Sequence, residues 1–145
     1  MKKLQFSVEI NAPREKVWKT LWDDITFRDW ANNIDEGMYL DGVMEEGAEV
    51  QFFSGGAEFG VTSLIEKLTP NEFVLFRHMS DTKEEGTQER EKEWTGGQES
   101  YTLKESDGNT TLTVELDTPP EQIENFEERL PKALERVKIL SEEKE

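Results

Sequence analysis

Cysteine is absent from the 145 residues. That excludes disulfides, thiolate nucleophiles and Cys-ligated zinc or iron–sulfur centres, and it suits a reducing compartment, the cytoplasm. The single histidine, His78, is too few for a His-rich metal site. No apolar run approaches the roughly 18 residues that span a bilayer, and no apolar signal segment follows Met1-Lys2-Lys3. Bases are scarce as well: 17 Lys and Arg stand against 33 Asp and Glu, for a net charge of −16. Such a field repels phosphate backbones and anionic lipid, so nucleic acid is not an expected partner. The excess is even, with 14 acids to 7 bases in residues 1–75 and 19 to 10 in 76–145, which reads as a solubilising surface. Phosphate-binding and dinucleotide fingerprints are missing too. Gly55-Gly56 and Gly96-Gly97 lack the required spacing and the following helix, and no Ser elbow appears. No cofactor or metal is expected.

What is present fits one domain over 1–145. The apolar share is a lean 34%, but four Trp, eight Phe and two Tyr supply large side chains for a core. Residues 3–11 alternate, with Leu4, Phe6, Val8 and Ile10 on one side and Gln5, Ser7 and Glu9 on the other, the period of a half-buried strand. Asn11-Ala12-Pro13 then opens a helix, capped at Asn11 or Ala12 with Pro13 at its first position, and Val17, Trp18, Leu21 and Trp22 follow at helical spacing. Asp23-Asp24 interrupts it, and Thr26 to Trp30 forms a second short helix ending near Asn33.

From Gly37 to Leu116 short apolar segments alternate with turn residues, the mark of an antiparallel meander. Strands are predicted over 38–44, 48–53, 59–68, 72–78, 98–105 and 110–117, divided by Gly47, Gly55-Gly56, Pro70-Asn71 and Asp107-Gly108-Asn109. Residues 81–92 carry no apolar side chain, and 80–93 read as a long mobile loop or an extended hairpin tip. After Pro119-Pro120 the stripe Ile123, Phe126, Leu130, Ala133, Leu134, Val137, Leu140 defines an amphipathic helix. Pro131 inside it predicts a kink or two pieces, the longer starting near Pro131.

This order, strand, two short helices, six strands and a long terminal helix, is an α+β arrangement in which a curved antiparallel sheet of about seven strands wraps its apolar face around the last helix. With Ile10-Asn11-Ala12-Pro13, Val17-Trp18, Leu21 and Asp23 at the start, and Thr69-Pro70-Asn71-Glu72 before an apolar strand, the chain resembles the START-like (SRPBCC) superfamily. Within it the chain is most similar to the group related to the activator of the heat-shock-protein-90 ATPase. The resemblance implies a helix-grip fold with a cavity between sheet and C-terminal helix that holds lipids, polyketides or other apolar molecules, and no universal catalytic residues. The polar stretch before Trp94 and Pro131 depart from the superfamily pattern near the cavity mouth.

Apolar pockets are lined by hydrophobic and aromatic side chains with a few placed polar groups. The candidate lining is Trp30, Phe52, Phe59, Phe76, His78, Trp94, Tyr101, Phe126 and Leu130, each of which also suits plain core packing. Trp18 and Trp22 are assigned to the core, and no residue is assigned a catalytic role. By alternation His78 shares a face with Val74 and Phe76, and Arg77 points the other way. Asp23-Asp24, Glu45-Glu46 and Glu84-Glu85 are adjacent pairs whose carboxylates diverge, as on a solvated surface. Trp94-Thr95-Gly96-Gly97 suits either a hinged aromatic lid or a loop anchor. The expected function is non-catalytic binding of a small hydrophobic or aromatic ligand. Two alternatives stay open: a cyclase- or dehydratase-type enzyme in the same cavity using His78, Tyr101 or a buried acid, and a protein-interaction module, as monomer or homodimer.

Overall fold

The computed structural model describes residues 2–34, 36–53, 60–81 and 97–143. Seven strands and three helices follow in the order β1 (Lys2–Ile10), α1 (Arg14–Trp22), α2 (Asp24–Ala31), β2 (Tyr39–Asp41), β3 (Glu49–Phe53), β4 (Gly60–Thr69), β5 (Phe73–Asp81), β6 (Gln98–Ser106), β7 (Asn109–Thr118) and α3 (Ile123–Glu142). A 3-10 turn, Pro120–Gln122, leads into α3. The strands form one curved antiparallel sheet in the order β1-β7-β6-β5-β4-β3-β2, so β2 to β7 make a meander and β1 closes on its last strand. The expected helix-grip architecture is the observed one.

Local chemistry sets these elements. The alternation in β1 pairs Leu4 with Leu116, Phe6 with Val114 and Val8 with Leu112. Pro13 is the N-cap of α1 rather than its first helical residue. It has extended backbone and its carbonyl accepts from Lys16 and Val17. Asp23 ends α1 and caps α2 in the same extended conformation, which turns the chain between the two helices. At the β6–β7 hairpin Asp107 (φ 55°) and Gly108 (φ 80°) both take the left-handed region between the paired Ser106 and Asn109. That two-residue geometry matches the right-handed twist of the strands.

Pro131 does not split the last helix. The helix runs from Ile123 to Glu142 with Pro131 inside it. The reason lies in its orientation: Pro131 and Glu127, whose carbonyl loses its donor, are both exposed, so water replaces the missing hydrogen bond. The opposite face buries Leu130, Ala133, Leu134 and Val137.

The core lies between the concave face of the sheet and the three helices. Val50, Ile65, Val74, Phe76, Leu112 and Val114 of the sheet are fully buried together with Val17, Leu21, Ala31 and Val137. Each of the Val, Leu, Ile and Phe side chains contributes roughly 1.5–3 kcal/mol. Asp29 of α2 takes two hydrogen bonds from Arg136 of α3, at 2.6 and 2.9 Å. The Asn11 amide donates to Glu142 at 2.8 Å, fixing the end of α3 to the link after β1. Helix α1 packs over β6 and β7 and starts beside their hairpin end, where the Arg14 amide donates to Glu105 and its guanidinium meets Glu72 at 2.7 Å. The other end of the concave face, with the last residues of β3 and β5 and the first of β4 and β6, lies beyond α1.

Candidate ligand-binding site

Five of the nine sequence-predicted residues come together. Phe52 on β3, Phe76 and His78 on β5, Tyr101 on β6 and Trp30 on α2 form one aromatic cluster. Phe52 packs on Phe76 with centroids 5.2 Å apart, Phe76 on Tyr101 at 6.2 Å, Trp30 on Tyr101 at 6.4 Å and Phe52 on His78 at 6.5 Å. Most of these contacts are edge-to-face, the arrangement favoured by ring quadrupoles. Trp30 is held by its indole N–H, which donates to the Leu21 carbonyl at 3.1 Å. Leu130 is buried and Phe126 half-buried, one turn apart on α3 and packed against the core. Phe59 and Trp94 lie outside the described residues, as do 82–96 and Gly55-Gly56.

Trp22, assigned from sequence to the core alone, stands at the centre of this cluster. Its ring lies 4.9 Å from Tyr101, 5.5 Å from Phe76 and 6.2 Å from Phe27. Its indole N–H is buried without an acceptor. Position on an amphipathic helix marked Trp22 as inward-facing, but the faces of α1 and β5–β6 meet only in the fold.

A chain of polar groups is set into this apolar wall. Ser63 of β4 pairs across the sheet with His78, and its hydroxyl lies 2.7 Å from His78 Nδ1. His78 Nε2 lies 3.5 Å from Glu99 Oε1, and the Tyr101 hydroxyl donates to Glu99 Oε2 at 2.5 Å. A Ser63 hydroxyl donating to Nδ1 leaves the proton on Nε2, aimed at the carboxylate. Burial is the main force holding the Tyr101 phenol well above its ordinary pKa. The adjoining Glu99 charge and the hydrogen bond to it act in the same direction. A register shift between Thr62 and Ser63 brings this arrangement about, since Ser80 pairs with Thr62 but His78 with Ser63, leaving Met79 extra. Such bulges re-aim side chains. Arg77 points to the outer face and meets Glu66 at 2.5 Å, as alternation predicts.

Ser63 and Glu99 were not predicted. Alternation over Glu99, Tyr101 and Leu103 carried a signal for Glu99, whereas Ser63 depends on cross-strand register, which no single strand encodes. Solvent reaches this group unevenly. Ser63 is sealed, the His78 side chain is 7% exposed and that of Glu99 is 21% exposed. Glu99 is thus the member of this group that solvent reaches most.

A cleft of about 400 Å³ lies at the hairpin end of β6–β7 and is lined by Glu9, Ile10, Asn11, Ser106, Asn109, Thr110, Thr111 and Lys138, none of them aromatic. Among the described residues, no helix is long and apolar enough to cross a membrane, and no group of three His, Asp or Glu is placed to hold a metal ion.

A curved seven-stranded sheet around a C-terminal helix, with a ring-lined inner face, defines a helix-grip protein. The chain belongs to the family of activator of Hsp90 ATPase homolog 1-like proteins, which it matches over residues 11–141. No curated protein matches it. Among solved structures, the Aha1 dimer from Colwellia psychrerythraea is similar at 19% identity and a TM-score of 0.70, with all of both chains covered. MLL2253 from Mesorhizobium loti is similar at 15% identity and a TM-score of 0.73, over 96% of each chain. DynU16, a protein of the dynemicin biosynthetic locus, gives 19% identity and a TM-score of 0.71 over 96% of this chain. Only 46% of DynU16 is covered, so the present chain spans about half its length. At these identities the structures establish the shared fold.

Proposed function

We propose that the protein binds a small hydrophobic or aromatic molecule between the sheet and α3 without transforming it. The observation that carries this reading is the Ser63–His78–Glu99–Tyr101 chain set among the rings of Trp22, Phe52 and Phe76, at the end of the concave face where Glu99 meets solvent. A purely structural core is stabler without a carboxylate, because charge burial costs several kcal/mol unless fully paired. An apolar wall with a few convergent polar groups is what a ligand pocket requires. Thermal-shift measurement against a panel of aromatic and aliphatic compounds tests the reading. Ligands should raise the melting temperature, and Phe52→Leu, in the ring cluster, should reduce that rise. A panel with no shift, together with a ligand-free mass in native mass spectrometry of protein purified from its own host, would refute it.

The same polar chain supports a second reading, a cyclase- or dehydratase-type enzyme in which His78 and Tyr101 move protons on a bound substrate. Its turnover would follow a pH profile that disappears in His78→Ala. Family membership supports a third, in which the acidic surface meets a basic protein partner and the contact weakens as salt rises.

A further inference from the structure

We infer that the free edge of β1 docks a second copy of this chain, strand against antiparallel strand, about a twofold axis through Phe6. The sheet has two edges. At one, β2 is only three residues long, Tyr39–Asp41. At the other, β1 runs for nine residues and pairs with β7 at every position from Lys2 to Ile10, without a bulge. An edge strand presents a row of N–H and C=O groups to the side away from its neighbour. Helix α3 packs against β1 but does not bond to this row: among the described residues, no hydrogen bond outside the ladder to β7 engages the main chain of Lys2–Ile10. The strand holds no proline or glycine, and Phe6 and Val8 on its inner face are only half-buried. In the sheet, β7 separates it from the ring cluster on β3, β5 and β6.

The side chains select the occupant. When β1 lies antiparallel to itself over its full length, Lys2 meets Ile10, Lys3 meets Glu9, Leu4 meets Val8, Gln5 meets Ser7 and Phe6 meets its own copy. On the outer face this sets an ammonium against a carboxylate twice, at Lys3–Glu9 and its symmetry mate, with amide against hydroxyl between them. Glu9 is exposed, and Lys3 is 55% exposed even with Asp117 at 3.4 Å. On the inner face the added strand covers Phe6 and Val8. A slide by two residues either way loses both Lys3–Glu9 pairs, so charge fixes the register. The strand also carries two Lys and one Glu in a chain of net charge −16, so two copies meet here with little local repulsion. Repulsion from exposed acids farther away is screened beyond about 8 Å at physiological ionic strength. The contact closes at two copies, because each β1 edge is used once. An unrelated extended peptide would gain the same main-chain bonds without the repeated charge match.

Sedimentation velocity of the full chain in physiological salt, from micromolar to millimolar, tests this. The mass should rise with concentration from 16.8 kDa toward twice that value and no further. Lys3→Glu or Glu9→Lys alone sets like charges opposite each other at both ends of the contact. Either should weaken association about tenfold or more, since two attractive pairs become repulsive. Mixing the two variants, or combining both substitutions in one chain, returns opposite charges to register and should restore the dimer. That rescue separates the charge match from any loss of fold, because a damaged chain is not repaired by a second substitution facing away from the first. A chain that stays at 16.8 kDa throughout would overturn the proposal and leave the edge to a different protein. Undiminished association in both single variants would overturn it too, placing the second copy on another surface. So would a weakening that neither the mixture nor the double variant reverses.

Discussion

Replacing Tyr101 by Phe removes a single hydroxyl from a buried ring, and its effect on stability should depend on pH in one direction only. In the fold the phenol is buried and donates to Glu99 at 2.5 Å. Ionising it would bury a second negative charge beside a carboxylate, so its pKa is raised, by burial first and by Glu99 second. In the unfolded chain it titrates near the ordinary value of about 10. Below that pH both states keep the proton, and the hydroxyl contributes in full. A hydrogen bond to a charged group is worth about 1.5–3 kcal/mol, partly offset by the cost of burying the hydroxyl, so Tyr101→Phe should lose about 1–2 kcal/mol near neutrality. Above about pH 10 the unfolded chain releases a proton that the folded chain retains, and the stability due to this group falls by about 1.4 kcal/mol per pH unit. Other groups titrate equally in protein and variant. The difference between them should therefore close by about 1.4 kcal/mol one unit above the phenol's ordinary value. Urea unfolding followed by far-UV circular dichroism across that range measures it. A gap that stays constant or widens with pH would show that the phenol is not sequestered with Glu99.

Three further outcomes follow from the fold. Gly42 has φ 129°, and a Cβ there would lie 2.8 Å from Val50 Cγ1, so Gly42→Ala should cost about 3 kcal/mol and lower the urea midpoint. Pro131→Ala restores a helical donor on an exposed face and should raise stability by about 2 kcal/mol, seen as a higher melting temperature. Hydrogen bonds from Arg136 hold the Asp29 carboxyl below its ordinary pKa against the opposing effect of burial. The stability it confers is thus present above the unfolded value near 4 and lost as pH falls below it. With side chains 38% and 37% exposed, solvent screening limits the pair to about 1 kcal/mol or less, so Asp29→Asn should cost that near neutrality and nothing in acid, by urea titration at both.

How much of this was legible without coordinates depends on the range of the interaction. Alternation in β1, Asp107-Gly108 at the last hairpin and the stripe from Leu130 to Val137 are written over a few consecutive residues, and each formed as its period dictates. Element order then fixed the sheet and the helix it grips. Of the two outcomes expected at Pro131, a kink or a break, the break did not occur, because Pro131 lies on the side of the helix that faces water. Trp30, Phe52, Phe76, His78 and Tyr101, named by residue type and alternation, come together in one ring cluster.

Trp22, Ser63 and Glu99 were not assigned there, for separate reasons. Trp22 looked like any inward residue of α1 until α1 met Tyr101 and Phe76. Ser63 faces His78 only because the ladder slips beside it, and that slip is a property of two strands together. The carboxylate of Glu99 gained its meaning from the hydroxyl two residues on and the imidazole across the strand. By itself, then, the sequence determined the elements, their order and the apolar face each presents, because backbone periodicity and turn chemistry act over neighbouring residues. Tertiary structure alone decided which polar groups share that face, because contacts a few ångströms long join residues 15 and 21 positions apart, Ser63 to His78 and His78 to Glu99, and only the register and curvature of the sheet bring them within reach.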